Sequence, residues 1–586
     1  MQEASAYNDL EKQMLVQFRK FNFRQLSKCL DQDIASYLTI STIWIVMITL
    51  VNPIGEFPLN DDWVYALAVK SVLETGYYQF PSPSSANVGP QVYWGALFCF
   101  LFGFSFTALR FSTLILGLIG ILVLYQLIRE LGNDQKTALL CALTLAVNPI
   151  YFGLANSFMT EIPFISLVTI SSYYLMRGLQ SNASFHIALG LAFSFAAILV
   201  RQLGVLILVG FAFAYPVKYG FRLKNILKAS LPFILGILLH VAYQYWMVNS
   251  GRTPLLMVHS DISKLPSSSI STWAMREFAI NAFVYLGFFL IPVLILFIQQ
   301  TPNGYTKKHL RVFLISLISF AAFILWLFLR KDNTLPSLTN VLIKSGIGPL
   351  TLRDTFILSL NNPSVPQVLS IFWGGMTVLS AIAASAFICY IWLATKQFVI
   401  EFKNHKSRSS TWKFLLPITM GGAYFSVLMF ISSGYLSMFD RYLLPLIPIA
   451  ILLLTNIKFQ AILPRHNVGQ VLSAAFIILY AAFSVAATHD YISWNRARWS
   501  AINNLLIDNK VSPNQIDGGY EFNGLFLYDP KYKNKEGKSW WWVNEDEYII
   551  TSGPLQGYTE YSRYPFSRWL TLSKSNIFIL HKNRSF

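Results

Sequence analysis

Residues 60–66 read Asn-Asp-Asp-Trp-Val-Tyr-Ala and follow the first long hydrophobic stretch of the chain, residues 37–51. Two adjacent carboxylates, Asp61 and Asp62, therefore stand at the end of a segment that could span a membrane, where ionised groups are costly and need a reason. One interpretation is a solvated loop in which Asn60 or Asp61 caps the next helix. The other is a functional site, and the rest of the chain bears on the choice.

The composition predicts a polytopic membrane protein. Of 586 residues, 54% are hydrophobic and 12% are charged, whereas soluble proteins carry about 25% charged residues. The formal net charge of +17 does not indicate a nucleic-acid partner, because the basic residues lie in short loops between apolar segments, as the positive-inside rule describes. Four cysteines are scattered singly, which favours neither a disulfide framework nor a metal site.

Thirteen hydrophobic segments are predicted to cross the membrane. They are residues 37–51, 110–131, 136–154, 161–178, 185–200, 203–217, 227–247, 277–299, 310–330, 367–395, 413–434, 441–457 and 468–488. With the N-terminus inside, the inner loops carry most of the basic residues: Arg129, Lys136, Arg177, Lys218, Arg222, Lys224, Lys228, Lys307, Lys308, Arg311, Lys396, Lys403, Lys406, Arg408, Lys413, Lys458 and Arg465.

The same charge rule settles two ambiguous segments. Residues 92–106 are apolar but shorter than the ~20 residues of a span, and counting them would place Arg129 outside. We therefore predict an interfacial or re-entrant helix there. Residues 185–217 are predicted to form two short spans that turn at Arg201-Gln202, which places Arg201 near the outer surface.

The domain organisation follows from this topology. Residues 1–36 are predicted to be a cytoplasmic leader, since they lack the apolar core of a signal peptide. Residues 37–488 would form the membrane domain, with residues 54–107 as its first outer loop. Residues 489–586 are mixed polar with short alternating stretches, which predicts a small α/β domain on the outer face. Within it, Trp540–Trp542 could stack on a sugar, although a place in the core or against the membrane is the simpler interpretation.

A third acidic residue, Glu161, is predicted on the same outer face, at the start of the fourth span. It could simply lie in the first turn of a helix capped by Thr160 and started by Pro163, where the helix dipole favours a carboxylate. Its position on the same side as Asp61 and Asp62 makes a shared site more plausible. Carboxylates gathered there could deprotonate a hydroxyl or an amine, or hold a divalent cation.

Basic residues on that face are candidates for binding a phosphate. Arg201 is the best placed, and its alternative role is that of an arginine that extends from the interface into water. Lys344, Arg353 and Arg441 are weaker candidates. The stretch Gly346–Asp354 contains neither GxxxxGK nor GxGxxG after a strand, so it does not indicate a nucleotide loop.

Several of these stretches together resemble the GT-C membrane glycosyltransferases, closest to the protein O-mannosyltransferases and the lipid A aminoarabinose transferase. They are Leu59–Ala66, Glu74–Gly76, Gly89–Trp94, Leu109-Arg110, Met159–Pro163 and Asp440–Pro448. The resemblance covers most of residues 37–488 and matches the C-terminal domain in position only. One departure is Glu161, where the family commonly has Asp.

The resemblance implies transfer of one sugar from a polyprenyl-phosphate donor to a lipid, glycan or protein acceptor on the outer face, with inversion of the anomeric carbon. It implies Asp61 as the base, with Asp62 and Glu161 orienting the acceptor, or Asp61 and Glu161 holding a divalent metal. Arg201, Arg353 and Lys344 would bind the donor phosphate. Tyr65, Tyr93 and Arg441 would line the substrate pocket. The lack of a signal peptide, of paired cysteines and of a glycosylation acceptor on the outer side favours a bacterial inner membrane.

Two other classes of function remain open. A flippase or transporter for a lipid-linked saccharide would share the apolar spans and the arginines, but it would place charges at the membrane midplane and show internal repeats. Neither feature is visible in the sequence. A catalytically inactive relative that serves as a scaffold is the other alternative, and the intact set of Asp61, Asp62 and Glu161 argues against it.

Overall fold

A computed structural model describes residues 23–80, 86–252, 271–297, 300–302, 307–329, 334–360, 367–403, 411–433, 438–457, 459–461 and 468–583. The first 22 residues of the predicted leader lie outside this set. So do four basic residues of the predicted inner loops, Lys406, Arg408, Lys458 and Arg465.

The described part of the chain is mainly helical. Its helices are α1 (Phe23–Val51), α2 (Asp62–Thr75), α3 (Gly89–Phe102), α4 (Phe106–Glu130), α5 (Gln135–Ala146), α6 (Pro149–Ala155), α7 (Glu161–Ser181), α8 (Ser184–Val200), α9 (Val205–Tyr219), α10 (Leu223–Asn249), α11 (Thr272–Leu296), α12 (Lys307–Leu329), α13 (Ser370–Lys403), α14 (Trp412–Ser432), α15 (Leu446–Thr455), α16 (Val468–Asn503) and α17 (Tyr520–Leu527). Two small two-stranded sheets pair β1 (Gln300–Pro302) with β4 (Phe459–Ala461), and β2 (Leu342–Ile343) with β3 (Gly346–Ile347).

All thirteen predicted spans coincide with helical segments. Among the described helices, ten are individually long and apolar enough to cross a membrane. An eleventh span results if α5 and α6, bent by 62° at their junction, count as one. The other two predicted spans are shorter helices, α8 with 17 residues and α15 with 10 residues. The predicted fold class, a polytopic helical membrane protein, is confirmed.

Both ambiguous segments form short helices, while the interfacial position of the first and the outer position of Arg201 stay predictions. Helix α3 has 14 residues, too few for a span, and it exposes Tyr93, Leu97 and Phe100 as an interfacial helix would. Helices α8 and α9 are separate, with Arg201 and a 3-10 turn at Gln202–Gly204 between them.

The C-terminal region combines one helix with a four-stranded sheet. The strands are β5 (Ile516–Asp517), β6 (Tyr548–Thr551), β7 (Tyr558–Arg568) and β8 (Ser573–Lys582), in the order β5-β6-β8-β7. Strands β5 and β6 are parallel, while β8 pairs antiparallel with both β6 and β7. The predicted small α/β domain is therefore present, and Trp541 is buried in it while Trp540 is half exposed.

Helix α16 joins the membrane domain to the C-terminal domain without a break, since its 36 residues continue past the predicted boundary at residue 488. The helix also holds the β7–β8 hairpin. The Asp490 carboxylate accepts hydrogen bonds from the N–H groups of Trp569 and Leu570 at 2.6 and 3.2 Å. The ring of His489 stacks on Trp569 with centroids 3.8 Å apart. These contacts anchor the sheet at the end of the last span.

Candidate active site

The loop before Asp61 is shaped by a buried arginine on α4. The Arg110 guanidinium donates to the carbonyl oxygens of Pro53 and Gly55 at 2.9 and 2.7 Å, and to that of Phe57. Its side chain is fully buried. Backbone carbonyl oxygens thus solvate the guanidinium charge, and these hydrogen bonds fix the conformation of the chain that follows the first span.

Asn60 completes the turn into α2 with a φ of 58°, in the left-handed region that Asn tolerates better than most residues. Asp61 then stands at the N-cap position, but its side chain makes no capping hydrogen bond. The interpretation of this stretch as a solvated helix cap is therefore not what the structure shows. The Asp61 carboxylate is 29% exposed and faces other charged side chains instead.

Asp62 points the other way. Its two carboxylate oxygens accept hydrogen bonds from the N–H groups of Leu59, at 2.6 Å, and Phe158, at 3.2 Å. Burial raises the pKa of Asp62 to about 7, against the opposing effects of Arg110 and the two N–H donors. Asp62 thus ties the first loop to the chain before α7, and its predicted catalytic role stays a prediction.

Four side chains form a charged cluster: Asp61, Arg441, Glu161 and Arg201. Arg441 Nη2 lies 3.0 Å from Asp61 Oδ2. Arg441 Nε lies 3.4 Å from Glu161 Oε1, close enough for an ion pair but not aligned as a hydrogen bond. Arg201 Nη1 donates to the same Glu161 oxygen at 2.7 Å. Acidic and basic groups alternate along the cluster, and its formal charges sum to zero.

The cluster has unused hydrogen-bonding capacity. Glu161 Oε2 and the Nε and Nη1 groups of Arg441 are buried and have no hydrogen-bond partner within the described part of the chain. A buried donor without a partner costs about 1–3 kcal/mol. Thr160 makes no side-chain cap to α7, so Glu161 is held by the two arginines rather than by a capping arrangement. These free groups mark where a polar ligand could bind.

Aromatic rings line the cluster. The Tyr442 ring centroid lies 5.3 Å from the guanidinium of Arg201 and 5.7 Å from that of Arg441, within cation–π range. Tyr65, on α2, is buried. Burial, reinforced by the negative charges of Asp61 and Glu161, raises the pKa of the Tyr65 hydroxyl, so it stays protonated. Tyr65 is therefore close enough to both carboxylates for their charges to act on it, and its place in a substrate pocket stays a prediction.

Arg441 is fixed through its neighbour. The buried Asp440 carboxylate accepts hydrogen bonds from the N–H groups of Val341, Leu342 and Arg441, at 3.2, 2.7 and 2.7 Å. These two adjacent residues thus make different contacts. Asp440 binds the backbone of the loop that carries β2, and the side chain of Arg441 binds Asp61.

The C-terminal domain also reaches Asp61. The hydroxyl of Tyr520 donates to Asp61 Oδ1 at 2.9 Å. The next residue, Glu521, accepts a hydrogen bond from the Asn60 N–H at 2.9 Å and forms a fully buried ion pair with Arg498 at 2.7 Å. Residues more than 450 positions apart in the sequence therefore share one site.

Three predicted site residues lie elsewhere. Arg353 forms an ion pair with Asp546 at 3.1 Å and donates to the Gly537 carbonyl. Lys344 lies in the turn between β2 and β3, where its carbonyl accepts a hydrogen bond from Trp373 Nε1 at 3.1 Å. Tyr93 stacks on another tyrosine of the first loop and is 56% exposed. These contacts of Arg353 and Tyr93 do not include a member of the charged cluster, and the roles of Arg353 and Lys344 at a phosphate stay predictions.

The residues at the site do not fit the divalent metal predicted at Asp61 and Glu161. Arg441 lies between these two carboxylates and contacts both. Within the described ranges, no three His, Cys, Asp or Glu side chains are grouped so as to hold a metal ion. A cation placed between Asp61 and Glu161 would be repelled by the Arg441 guanidinium, which already contacts both carboxylates.

Comparisons with known proteins extend the sequence argument. A family model described as dolichyl-phosphate-mannose-protein mannosyltransferase matches residues 88–246, about a quarter of the chain. This match confirms the predicted resemblance. The chain resembles the GT-C membrane glycosyltransferases. The matched residues of this GT-C-like chain include Glu161 and Arg201 of the charged cluster.

A curated relative and two solved structures show more distant similarity. An uncharacterized protein of Aquifex aeolicus (strain VF5) is 28% identical over 156 residues, which are 26% of this chain and 31% of that protein. The match therefore spans about a third of that relative. ArnT from Cupriavidus metallidurans, bound to undecaprenyl phosphate, is 12% identical with a TM-score of 0.42, over 93% of this chain and 97% of its own. Arabinosyltransferase EmbB from Mycobacterium smegmatis is 14% identical with a TM-score of 0.33, over 84% and 43% of the two chains.

Sequence reasoning missed Tyr520, Glu521 and Tyr442 as neighbours of Asp61 and Arg441. Tyr442 had a usable signal, because it follows Arg441 directly in a stretch that resembles the family. Tyr520 follows Gly518-Gly519, a pair that is typical of a turn and predicts no contact with another part of the chain. No local pattern joins a residue of the C-terminal domain to the first loop, since that contact depends on how the two parts pack.

Proposed function

We propose that this protein is an inverting glycosyltransferase that moves one sugar from a polyprenyl-phosphate donor to an acceptor on the extracytoplasmic face of a bacterial inner membrane. The charged cluster is the observation that carries the proposal: the partly exposed Asp61 carboxylate lies beside Arg441, which retains unused donors, and Arg201 binds the same Glu161 oxygen that Arg441 contacts. The matched family is described by a polyprenyl-phosphate sugar, dolichyl-phosphate-mannose, and by transfer of that sugar.

Asp61 is the base in this proposal. It is the most exposed acidic member of the cluster, with 29% of its side chain accessible against 2% for Glu161. Each Asp61 oxygen accepts one hydrogen bond, from Tyr520 or from Arg441, and an ionised carboxylate oxygen can accept a second. An acceptor hydroxyl can therefore donate its proton to Asp61, which gives the general-base step.

Arg441 and Arg201 supply positive charge for the phosphate. As the acceptor oxygen bonds to the anomeric carbon, the bond from that carbon to the phosphate oxygen breaks, and its electron pair leaves with the phosphate. Such a leaving group departs without a strong general acid, so stabilising its charge is the larger need. The unpartnered Nε and Nη1 groups of Arg441 are donors that a phosphate oxygen would satisfy.

Glu161 is a positioning residue in this scheme. It is buried against both arginines, at 2.7 Å from Arg201 and 3.4 Å from Arg441. It thereby holds two guanidiniums next to each other, although like charges repel. The four side chains carry no net formal charge, so a bound phosphate would make the net charge of the site negative.

The test uses membranes that contain the overexpressed chain and a panel of radiolabelled polyprenyl-phosphate sugars. Wild type is compared with Asp61→Asn and with Glu74→Gln, a carboxylate-to-amide change at an exposed position of the same helix. We expect sugar transfer in the wild type and in Glu74→Gln, and a loss of about 10²–10⁴-fold in Asp61→Asn.

Two outcomes would contradict the proposal. Transfer at the wild-type rate in Asp61→Asn would remove Asp61 as the base. Movement of lipid-linked sugar across the membrane, without transfer and equally in all three proteins, would favour a flippase instead.

A further inference from the structure

We propose that Tyr520 of the C-terminal domain is a positioning residue for Asp61, so that the C-terminal domain completes the active site rather than standing beside it. This inference rests on the proposed function, because it assigns Tyr520 a role through the Asp61 base. It goes further by making a separate domain necessary for the chemistry.

The Asp61 carboxylate is held at both ends. Tyr520 donates to Oδ1 at 2.9 Å, and Arg441 Nη2 binds Oδ2 at 3.0 Å. Two donors on opposite oxygens fix the rotation of the carboxylate plane, which one donor alone would not do. The lone pair that receives the acceptor proton is then aimed in one direction, and orientation of this kind is a large part of catalytic rate.

The backbone around Tyr520 is anchored. Gly519 has a φ of +87°, and a Cβ there would lie 2.3 Å from the Thr351 carbonyl oxygen and 2.7 Å from Arg498 Nη2. Only glycine fits this turn. The Tyr520 N–H then donates to the same Thr351 carbonyl at 3.0 Å. The position of the phenol is thus set by the main chain and not only by its own rotamer.

A second connection runs beside the first. Glu521 Oε1 accepts a hydrogen bond from the Asn60 N–H at 2.9 Å, while Oε2 binds Arg498 at 2.7 Å. Asn60 and Asp61 are adjacent, and so are Tyr520 and Glu521. Two consecutive residues of the first loop are therefore bound by two consecutive residues of the C-terminal domain, and neither pair can shift without the other.

The ring of Tyr520 is enclosed by tryptophans. Its centroid lies 6.1 Å from that of Trp63, 5.6 Å from Trp541 and 6.2 Å from Trp542. These contacts involve the ring and not the hydroxyl. Replacing Tyr520 by Phe would keep the ring packing and remove the hydroxyl, which binds Asp61 and also interacts with the Trp63 side chain, so packing and polar contributions can be separated.

Tyr520 acts as a donor and not as an acid. Burial, and then the negative charge of Asp61, raise the pKa of the Tyr520 hydroxyl well above its usual value. The other charged or titratable groups that face Asp61 are Arg441, Tyr65 and, through Arg441, Glu161. Those three residues belong to the membrane domain, whereas Tyr520 belongs to the C-terminal domain.

The experiment compares wild type with Tyr520→Phe in the full-length protein, using the labelled donor that the wild type turns over. We expect kcat to fall about 10- to 100-fold, since a hydrogen bond to a charged group is lost, while KM for the lipid donor changes little. The pH–rate profile of both proteins is recorded as well, because a loss of packing alone would leave its shape unchanged. Tyr520→His, which keeps a ring and an N–H donor, should recover part of the rate.

The matched control is Tyr528→Phe. Tyr528 belongs to the same aromatic group, 6.2 Å from Trp63 and 5.2 Å from Trp542, but its buried hydroxyl has no hydrogen-bond partner among the described residues. We expect this variant to keep the wild-type rate and pH profile. Thermal unfolding of both variants verifies that each is folded.

The outcomes separate this inference from the proposed function. An inactive Asp61→Asn together with a Tyr520→Phe protein of wild-type kcat and pH profile would overturn the role of Tyr520 and leave the transferase standing. Equal losses in Tyr520→Phe and Tyr528→Phe would also overturn it, because packing would then explain both. An active Asp61→Asn would contradict the proposed function itself.

Discussion

Two groups of buried ion pairs contact the loop that carries Asp61: the Arg498–Glu521 pair and the charged cluster. They differ in how many of their polar atoms have a hydrogen-bond partner. In the pair Arg498–Glu521 both side chains are 0% exposed. Arg498 binds Glu521, the Thr351 hydroxyl and the Gly518 carbonyl. Glu521 binds Arg498, Thr351 and the Asn60 N–H.

The charged cluster is different. Arg441 keeps two nitrogen groups and Glu161 one oxygen without a hydrogen-bond partner in the described part of the chain, and Asp61 is partly open. A buried pair with every group satisfied has nothing left with which to bind a ligand. We infer that unused hydrogen-bonding capacity at a buried charge, rather than burial or charge alone, distinguishes an ion pair that can bind a ligand from one that only stabilises the fold.

The largest effect is expected from breaking the satisfied pair. Arg498→Ala would leave Glu521 as a buried unpaired charge, and we expect the free energy of unfolding to fall by about 3–5 kcal/mol. Thermal or denaturant unfolding of the protein in detergent measures this. Arg563→Ala is the control, because Arg563 pairs with Glu560 in an exposed i,i+3 position, where removal of a pair costs less than about 1 kcal/mol. Equal losses in the two variants would break the comparison.

The open cluster should respond in activity more than in stability. Arg201→Gln removes one of the two positive charges that face the proposed phosphate, while Arg441 remains to compensate Glu161. We expect kcat/KM for the lipid donor to fall about 10- to 100-fold, with a loss of stability clearly below that of Arg498→Ala. Steady-state kinetics and unfolding on the same preparation measure both. Arg177→Gln, at a partly exposed pair with Glu130, is the control, and a rate loss there as large as in Arg201→Gln would count against the assignment.

Asp62 offers a smaller effect with a defined sign. Burial raises its pKa from 3.8 to about 7, so the folded protein holds the proton more tightly than the unfolded chain does. The resulting stabilisation is complete below about pH 4 and is lost as the pH rises through about 7. In Asp62→Asn this dependence is absent. We expect the Tm of the wild type, relative to that of the variant, to be higher at pH 5 than at pH 8 by a few degrees, and the opposite order would refute the shift.

The smallest effect is expected from removing divalent cations. Because Arg441 lies between Asp61 and Glu161, we expect transfer to continue at an unchanged rate after treatment with EDTA and dialysis. A loss of activity that added Mg²⁺ or Mn²⁺ restores would show that a metal enters between these carboxylates, and it would remove the distinction between this cluster and a metal site.

Much of the fold could be predicted from the sequence, because a bilayer imposes a length and an apolar composition on each span. The bend at Arg201 followed from the distribution of basic loops. The segment of α15 shows what hydropathy does not predict. Hydropathy located this apolar segment, but it did not predict that α15 has only 10 residues or that a 3-10 helix, Asp440–Leu443, precedes it.

The site was predictable where topology decides it. Asp61, Glu161 and Arg201 were expected on one face, and the structure brings them together through Arg441. Helix geometry predicts that Asp61 and Asp62 point in directions about 100° apart, but which of the two faces the charged cluster was not predictable, because that depends on how the helix packs. Nor was the pairing of Arg353 with Asp546, which depends on how the C-terminal domain packs.

The hydrogen bond between Asn60 and Glu521, 461 residues apart, has a consequence for biosynthesis. At 5–20 residues per second, the first loop leaves the ribosome about 20–90 s before its partner exists. During that interval the membrane helices can insert and pack, but Asp61 has no donor on Oδ1. Chains that stop before residue 520 would therefore lack the Tyr520 donor to Asp61, and we expect the proposed transfer to be slower in them than in chains that contain this residue.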